Sequence, residues 1–298
     1  PPALVRFAEI VQNQTKGAVE VEISGNSKSG TEVEYAAKAR EGKSVQAAVL
    51  SSGAFSSLFS KYQIITTPFL FKDYNTAWAF FDSSWYARFM GEMRQTTGLR
   101  YLGTFDEGGG FVAFTNNKRL IKTPDDMKGL RIRVEINPSH IAMMESLGAK
   151  AVPLEWERVP DALKSDAADG QFNAPGLNTA MRFWDVCDYT TWTGHVYNTG
   201  NWVVNDEWFR GLPQDYQHII LRAARQAVWY GRGLAAHLCY LGWKEGSTNY
   251  KGHYLLNPQE REAFKKIMRP AFLKWATEDF GLSKDLINDL WARVDKID

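Results

Sequence analysis

The stretch that opens at Leu212-Pro213 and runs to about Gly242 reads as one long helix, with Ile219, Ile220, Ala223, Ala227 and Tyr230 among its apolar positions. About 30 helical residues span ~45 Å. That is longer than one small domain can use, and it fits a brace shared by two. A chain of 298 residues has the length for two moderate domains. The expectation is an α/β protein of two lobes with a long helix bracing both.

The rest of the chain supplies the lobes. Leu4, Phe7, Ala8 and Val11 mark one face of a first helix that ends at Gly17. Val19, Val21 and Ile23 alternate with Glu20 and Glu22, the pattern of a half-buried strand. A helix follows over 31–41 with Gly42 at its C-terminal end, then short apolar strands at 47–50 and 64–67, the latter stopped by Pro68. Residues 75–97 read as helical and aromatic-rich, 99–105 and 111–115 as strands on either side of a turn at Gly108-Gly109-Gly110. A single turn at 125–128 precedes the strand of Arg133, and Asn137-Pro138 caps a further helix closed by Gly148. Strands at 151–154 and 169–173 flank a short helix at 159–165, Trp202 to Asn205 returns as a strand, and 258–298 is helical. This alternation predicts mostly parallel sheets. The expected division is 1–115 plus about 205–245 in lobe I, and about 116–204 plus part of 246–298 in lobe II, with the helices of 258–298 packing across them.

Most chemistries lack their usual signals. Net charge is +1, which gives no general attraction to nucleic acid or membrane surfaces. No apolar run approaches the ~20 residues of a membrane span. The five histidines are scattered without metal-ligand spacing, and Cys187 and Cys239 fit no zinc or iron–sulfur pattern, so no metal or cofactor is expected. Their pairing as a disulfide stays open. No nucleophile elbow, Walker loop or dinucleotide fingerprint is present. Asp125-Asp126 fit a helix N-terminus, where negative charge is favourable.

A set of binding residues remains. Arg133 lies between Ile132 and Val134 on a short apolar strand, where a buried guanidinium is costly unless an acid meets it. That acid is either a protein carboxylate or a ligand carboxylate, which arginine holds with two parallel bonds. Asn173 ends a strand and offers both a donor and an acceptor, with a loop-capping amide as the alternative. Trp156 follows a strand and either walls the same cavity or belongs to the core.

The segments Asp126-Met127-Lys128-Gly129-Leu130-Arg131-Ile132-Arg133, Leu147-Gly148-Ala149 with Val152-Pro153-Leu154, Asp169-Gly170-Gln171-Phe172-Asn173 and Thr193-Gly194-His195-Val196-Tyr197 occur in that order. Phe7-Ala8-Glu9-Ile10-Val11 and Thr67-Pro68-Phe69-Leu70-Phe71 precede them, and Leu212-Pro213 follows. Each is weak alone. Together, over nearly the whole chain, they resemble the DctP-type substrate-binding proteins of tripartite ATP-independent periplasmic (TRAP) transporters. The resemblance implies a periplasmic-binding-protein-like fold whose two lobes close over a small organic carboxylate, and delivery of that ligand to the membrane subunits of a TRAP permease. It implies no chemistry, and export to the periplasm with the signal peptide outside this sequence; a monomer that closes on its ligand is expected. It places Arg133 on the ligand carboxylate, Asn173 and Trp156 on the ligand, and Phe69 on a loop bordering the cleft. Trp192 and His195 are expected near the cleft, with a structural hinge role the alternative for His195.

Several positions depart from the resemblance. Phe111-Val112 stand where many relatives carry an arginine, Arg158 replaces a glutamate and Pro160 a tyrosine. The loss of a cation at 111 points to an aromatic or otherwise apolar-bodied carboxylate. Two other readings keep the same cleft: a ligand-sensing domain of a signalling system, and an enzyme acting on a small acid with His195 or Glu135 as base.

Overall fold

In the computed structural model, which describes residues 2–25 and 30–297, the helix after Leu212-Pro213 runs over Gln214–Asn249, 36 residues. The chain forms two compact units, and this helix contributes to both. Unit 1 comprises residues 1–59, 78–106 and 199–234, and unit 2 comprises residues 60–77, 107–198 and 235–298. Among the described residues the strands are β1 (Ala47–Leu50), β2 (Leu99–Asn116), β3 (Arg131–Val134), β4 (Lys150–Pro153), β5 (Gly170–Asn173), β6 (Tyr189–Asn205) and β7 (Gly252–Leu255).

Unit 1 is built on β1, which pairs antiparallel with the end of β6 in the register Ala47↔Val204 to Leu50↔Asn201. The first helix, Pro2–Gln14, buries Phe7, Ile10 and Val11 against Trp202, Val204 and the Ile220, Ala223, Ala227 and Val228 side of the long helix. Phe7 meets Trp202 edge-on at 4.6 Å. The second helix, Glu32–Glu41, begins at a Thr31–Glu34 capping box and ends at Gly42 in the left-handed region, as its sequence predicts.

Unit 2 carries β3 in parallel between β4 and β5, with β5 antiparallel to the second half of β2 and β7 parallel to the first half of β6. The pairing is therefore mixed, where mostly parallel sheets are expected. Its core gathers Val112, Phe114, Ile132, Val134, Phe172 and Val196 from the strands with Met143, Met144, Phe264 and Met268 from helices.

Four elements differ from expectation. Residues 64–67 form no strand but the end of a 3-10 helix, Ser60–Thr66. The hydroxyls of Thr66 and Thr67 donate back to the carbonyls of Gln63 and Ile64, both at 2.7 Å, which favours a turn over a ladder. This segment also joins unit 2 rather than the first lobe. Thr66 bonds Ser139 at 2.6 Å, the Phe69 N–H donates to the His195 carbonyl at 2.8 Å, and the Phe69 ring lies in the unit 2 core. Residues 19–23 show no strand pairing; Val19 is buried by the first helix instead. The helix expected at 75–97 is two, Tyr74–Phe81 and Ser84–Thr97, the second capped by Ser83.

The fourth difference is at Gly108-Gly109-Gly110, which makes no turn. β2 continues through all three, each with positive φ (61°, 111° and 76°). A side chain at Gly109 would put its Cβ 2.2 Å from Cys239 Cβ. The glycines let the strand pass close to the long helix at Ala235 and Cys239.

Candidate ligand-binding site

Alternation along β3 decides which of its residues are core and which are polar contacts. Ile132 and Val134 are 0% and 1% exposed in the unit 2 core, so Arg131 and Arg133 project from the opposite face. The two arginines have different partners. Arg131 grips Asp169 through Nη2 to Oδ1 at 2.7 Å and Nε to Oδ2 at 3.1 Å. That pairing holds the Asp169 carboxyl below its usual range and raises Arg131. Arg133, two residues on, forms no ion pair with any described carboxylate. Its Nε and Nη2 both donate to the Leu154 carbonyl, at 3.1 and 2.8 Å.

Arg133 is only 4% exposed. Burial pushes its pKa down, while Glu135, Glu107, Glu155 and Glu157 act in the other direction from a distance. The guanidinium is thus buried, still charged, and without a contact counterion. Trp156 opens a short 3-10 turn at residues 156–158, with its ring 5.9 Å from the Arg133 guanidinium carbon. Its other edge meets Phe183 at 6.1 Å.

Gln171 is the register partner of Arg133, and Asn173 stands one pleat further along β5. Asn173 Nδ2 donates to Gln171 Oε1 at 2.7 Å, and its Oδ1 accepts from Asn198 Nδ2 at 3.2 Å. Gln171 donates in turn to Thr115 and Asn178, and Asn178 to the Asn173 carbonyl. The network fixes which way the Asn173 amide faces. Gln171 is readable in the sequence, because strand alternation puts it on the same face as Asn173. Asn198, Thr115 and Asn178 come from other elements and carry no local signal.

The remaining expected residues lie elsewhere. The His195 ring is fully buried in the apolar core, stacked on Phe114 at 4.4 Å and edge-on to Phe172 at 4.9 Å. Its Nδ1 meets Thr193 Oγ1 at 2.6 Å, and burial drives its pKa well below 6.5. Phe69 is a core residue with φ +54° whose carbonyl accepts from Arg269. Trp192 packs on Trp243 at 5.2 Å. Arg133, Trp156 and Asn173 are therefore brought together; Phe69, Trp192 and His195 are not. Glu135 lies 3.7 Å from Nδ1 of His140. Phe111 packs edge-on against Tyr197 at 4.8 Å and Tyr74 at 5.2 Å.

Cys187 and Cys239 are both buried and are not joined in a disulfide. Among the described residues, no cluster of histidine, cysteine, aspartate or glutamate could hold a metal ion. Among them, too, no helix is long and apolar enough to cross a membrane.

The family model for bacterial extracellular solute-binding proteins, family 7 (DctP), matches residues 2–279. A solute-binding protein of Verminephrobacter eiseniae is 31% identical over 77% of this chain and 68% of its own length. The sugar acid binding protein DctPAm of Advenella mimigardefordensis, solved with galactonate, superposes with a TM-score of 0.91 at 23% identity, covering 100% of this chain and 94% of that one. A TRAP periplasmic solute-binding protein of Desulfovibrio salexigens, solved with orotic acid, gives 0.89 at 21% identity, with 98% and 94% covered. The fold is that of the two-lobed TRAP solute-binding proteins, which bind their ligands and do not transform them. The chain belongs to the DctP family, bacterial extracellular solute-binding protein family 7.

Proposed function

We propose that this chain works as a monomer in the periplasm, captures a small organic monocarboxylate at Arg133, and delivers it to the membrane subunits of a TRAP permease. The observation that carries the ligand class is the buried Arg133 guanidinium, which has a carbonyl partner and no carboxylate, while Arg131 beside it takes Asp169. A ligand carboxylate supplies the missing counterion. Four glutamates act on Arg133 and position 111 is phenylalanine, so a second ligand charge would find no cation there. Neutral amides at Gln171, Asn173 and Asn198 suit hydroxyl or ring-amide groups, and Trp156 suits a flat or apolar body. The galactonate and orotic acid bound by the two structural neighbours are acids of this kind, each a single carboxylate on a neutral polar body.

In this reading Asn173 and Trp156 touch the ligand, whereas Phe69, Trp192 and His195 hold the frame around it. Thermal-shift screening of organic acids followed by calorimetry tests the proposal. Saturable binding of monocarboxylates, lost in Arg133→Ala, is expected. Preference for uncharged analogues, or equal affinity in that variant, would overturn it. Light scattering checks the monomer, and co-purification with permease subunits checks the partner.

A further inference from the structure

Unit 2 contains a second feature that shares no residue with the Arg133 cluster. A cavity of about 290 Å³ lies among the Phe69–Lys72 segment, the helix Pro258–Lys274 and the turn at Val294-Asp295. Arg261, Lys265 and Arg269 stand at i, i+4 and i+8 of that helix, so all three fall on one face, and they line the cavity with Lys72 and with two carboxylates, Glu262 and Asp295. Like charges at this spacing repel one another.

Two of the four cations are accounted for inside the protein. Arg269 donates to the carbonyls of Pro68 and Phe69 at 3.1 and 2.7 Å, and Asp295 and Glu262 act on it. Lys72 donates to the Ile297 carbonyl at 2.9 Å. Arg261 and Lys265 make no side-chain hydrogen bond or ion pair with any described residue, although both are partly buried. Arg261 nevertheless has a built seat. Its guanidinium carbon lies 5.7 Å from the centre of the Phe69 ring. Its Nη2 lies 3.3 Å from where a Cβ on Gly194 would stand, and Gly194 has φ +61°; the glycine leaves the space that the guanidinium uses. Burial alone acts on Arg261, pushing its pKa down with no acid opposing it.

We propose that this cavity is a binding site for a small multivalent oxyanion, with inorganic phosphate as its simplest member. Arg261 presents a planar pair of donors, Lys265 adds a point charge one turn away, and Lys72 closes the rim. An anion there relieves the repulsion along the helix face and ties that helix to the Phe69 segment.

The test is thermal unfolding and calorimetry of the full chain with inorganic phosphate against chloride at matched ionic strength. A saturable, phosphate-specific rise in Tm is expected. It should fall by at least half in Arg261→Gln and in Lys265→Gln and persist in Arg133→Ala. Should Arg261→Gln fold poorly, Lys265→Gln decides alone. A rise that chloride reproduces, that survives in both cavity variants, or that disappears in Arg133→Ala would overturn the proposal.

Discussion

Replacing Arg133 by methionine separates two roles that a buried arginine can have. In a structural role its loss would unfold the protein, because a partner charge would be left buried and unmatched. Here no carboxylate pairs with it; its two bonds converge on the Leu154 carbonyl, in a residue that is partly exposed. Removing them forfeits bonds of about 1.5–3 kcal/mol each at most. It also removes the desolvation cost of a charge at 4% exposure, which is several kcal/mol. The opposing contributions are of similar size, and water can satisfy Leu154. Apo stability in urea should therefore change by no more than about 1 kcal/mol. Ligand binding loses a buried charge pair, worth about 2–4 kcal/mol on truncation, or roughly 30- to 1,000-fold in Kd. Calorimetry with an acid that binds the unmodified protein gives the second number. Affinity within about threefold of the parent, or a stability loss above about 3 kcal/mol, would refute the reasoning.

Gly109→Ala should cost about 2–4 kcal/mol in chemical denaturation, since φ is +111° and the new Cβ would lie 2.2 Å from Cys239; a loss under about 1 kcal/mol would contradict the close approach. His140 is fully buried with its pKa lowered to about 3 by burial and by Arg133, and His195 is shifted the same way. The unfolded chain takes up these protons near pH 6.5 and the folded chain does not. Stability present above pH 6.5 is thus lost on acidification from that point, by about 2 kcal/mol for His140 at pH 5, with His195 acting in the same direction. Urea titrations from pH 7 to 5 should show a shallower fall in His140→Gln, and an unchanged slope would count against the assignment. Burial pushes the Cys187 thiol up to about 12, so iodoacetamide should label it in the native protein no faster than global unfolding allows.

Segments whose structure depends on local signals are legible in the sequence. The capping box at Thr31, the Asn137-Pro138 helix start and the long helix all follow from their own residues. Short apolar runs are less legible, because the same residues suit a strand or a turn. Ile64-Ile65-Thr66-Thr67 looks like a buried strand, but its hydroxyls reach back to their own carbonyls. The three glycines at 108–110 look like a turn; only Leu177, Cys239 and Tyr197, all distant in sequence, show why a strand needs glycine there. The candidate site divides in the same way. Arg133, Trp156 and Asn173 are identifiable from motif and placement, whereas His195 carries the same kind of motif and packs inside the core.

The order of residues is enough to put an arginine on a buried strand, an amide at the end of another, and both within the ordered segments of a solute-binding family. It leaves open which acid each arginine meets. Arg131 and Arg133 are two residues apart on one strand face, and Asp169 could in principle serve either. The parallel pairing of β3 with β5 sets Ile132 opposite Gly170 and Arg133 opposite Gln171, which brings Asp169 within reach of Arg131. Arg133 faces Gln171, Trp156 and a backbone carbonyl. Strand register is a non-local property fixed by packing of the whole sheet, so it takes the folded sheet to assign one arginine to Asp169 and leave the other with a backbone carbonyl and no carboxylate.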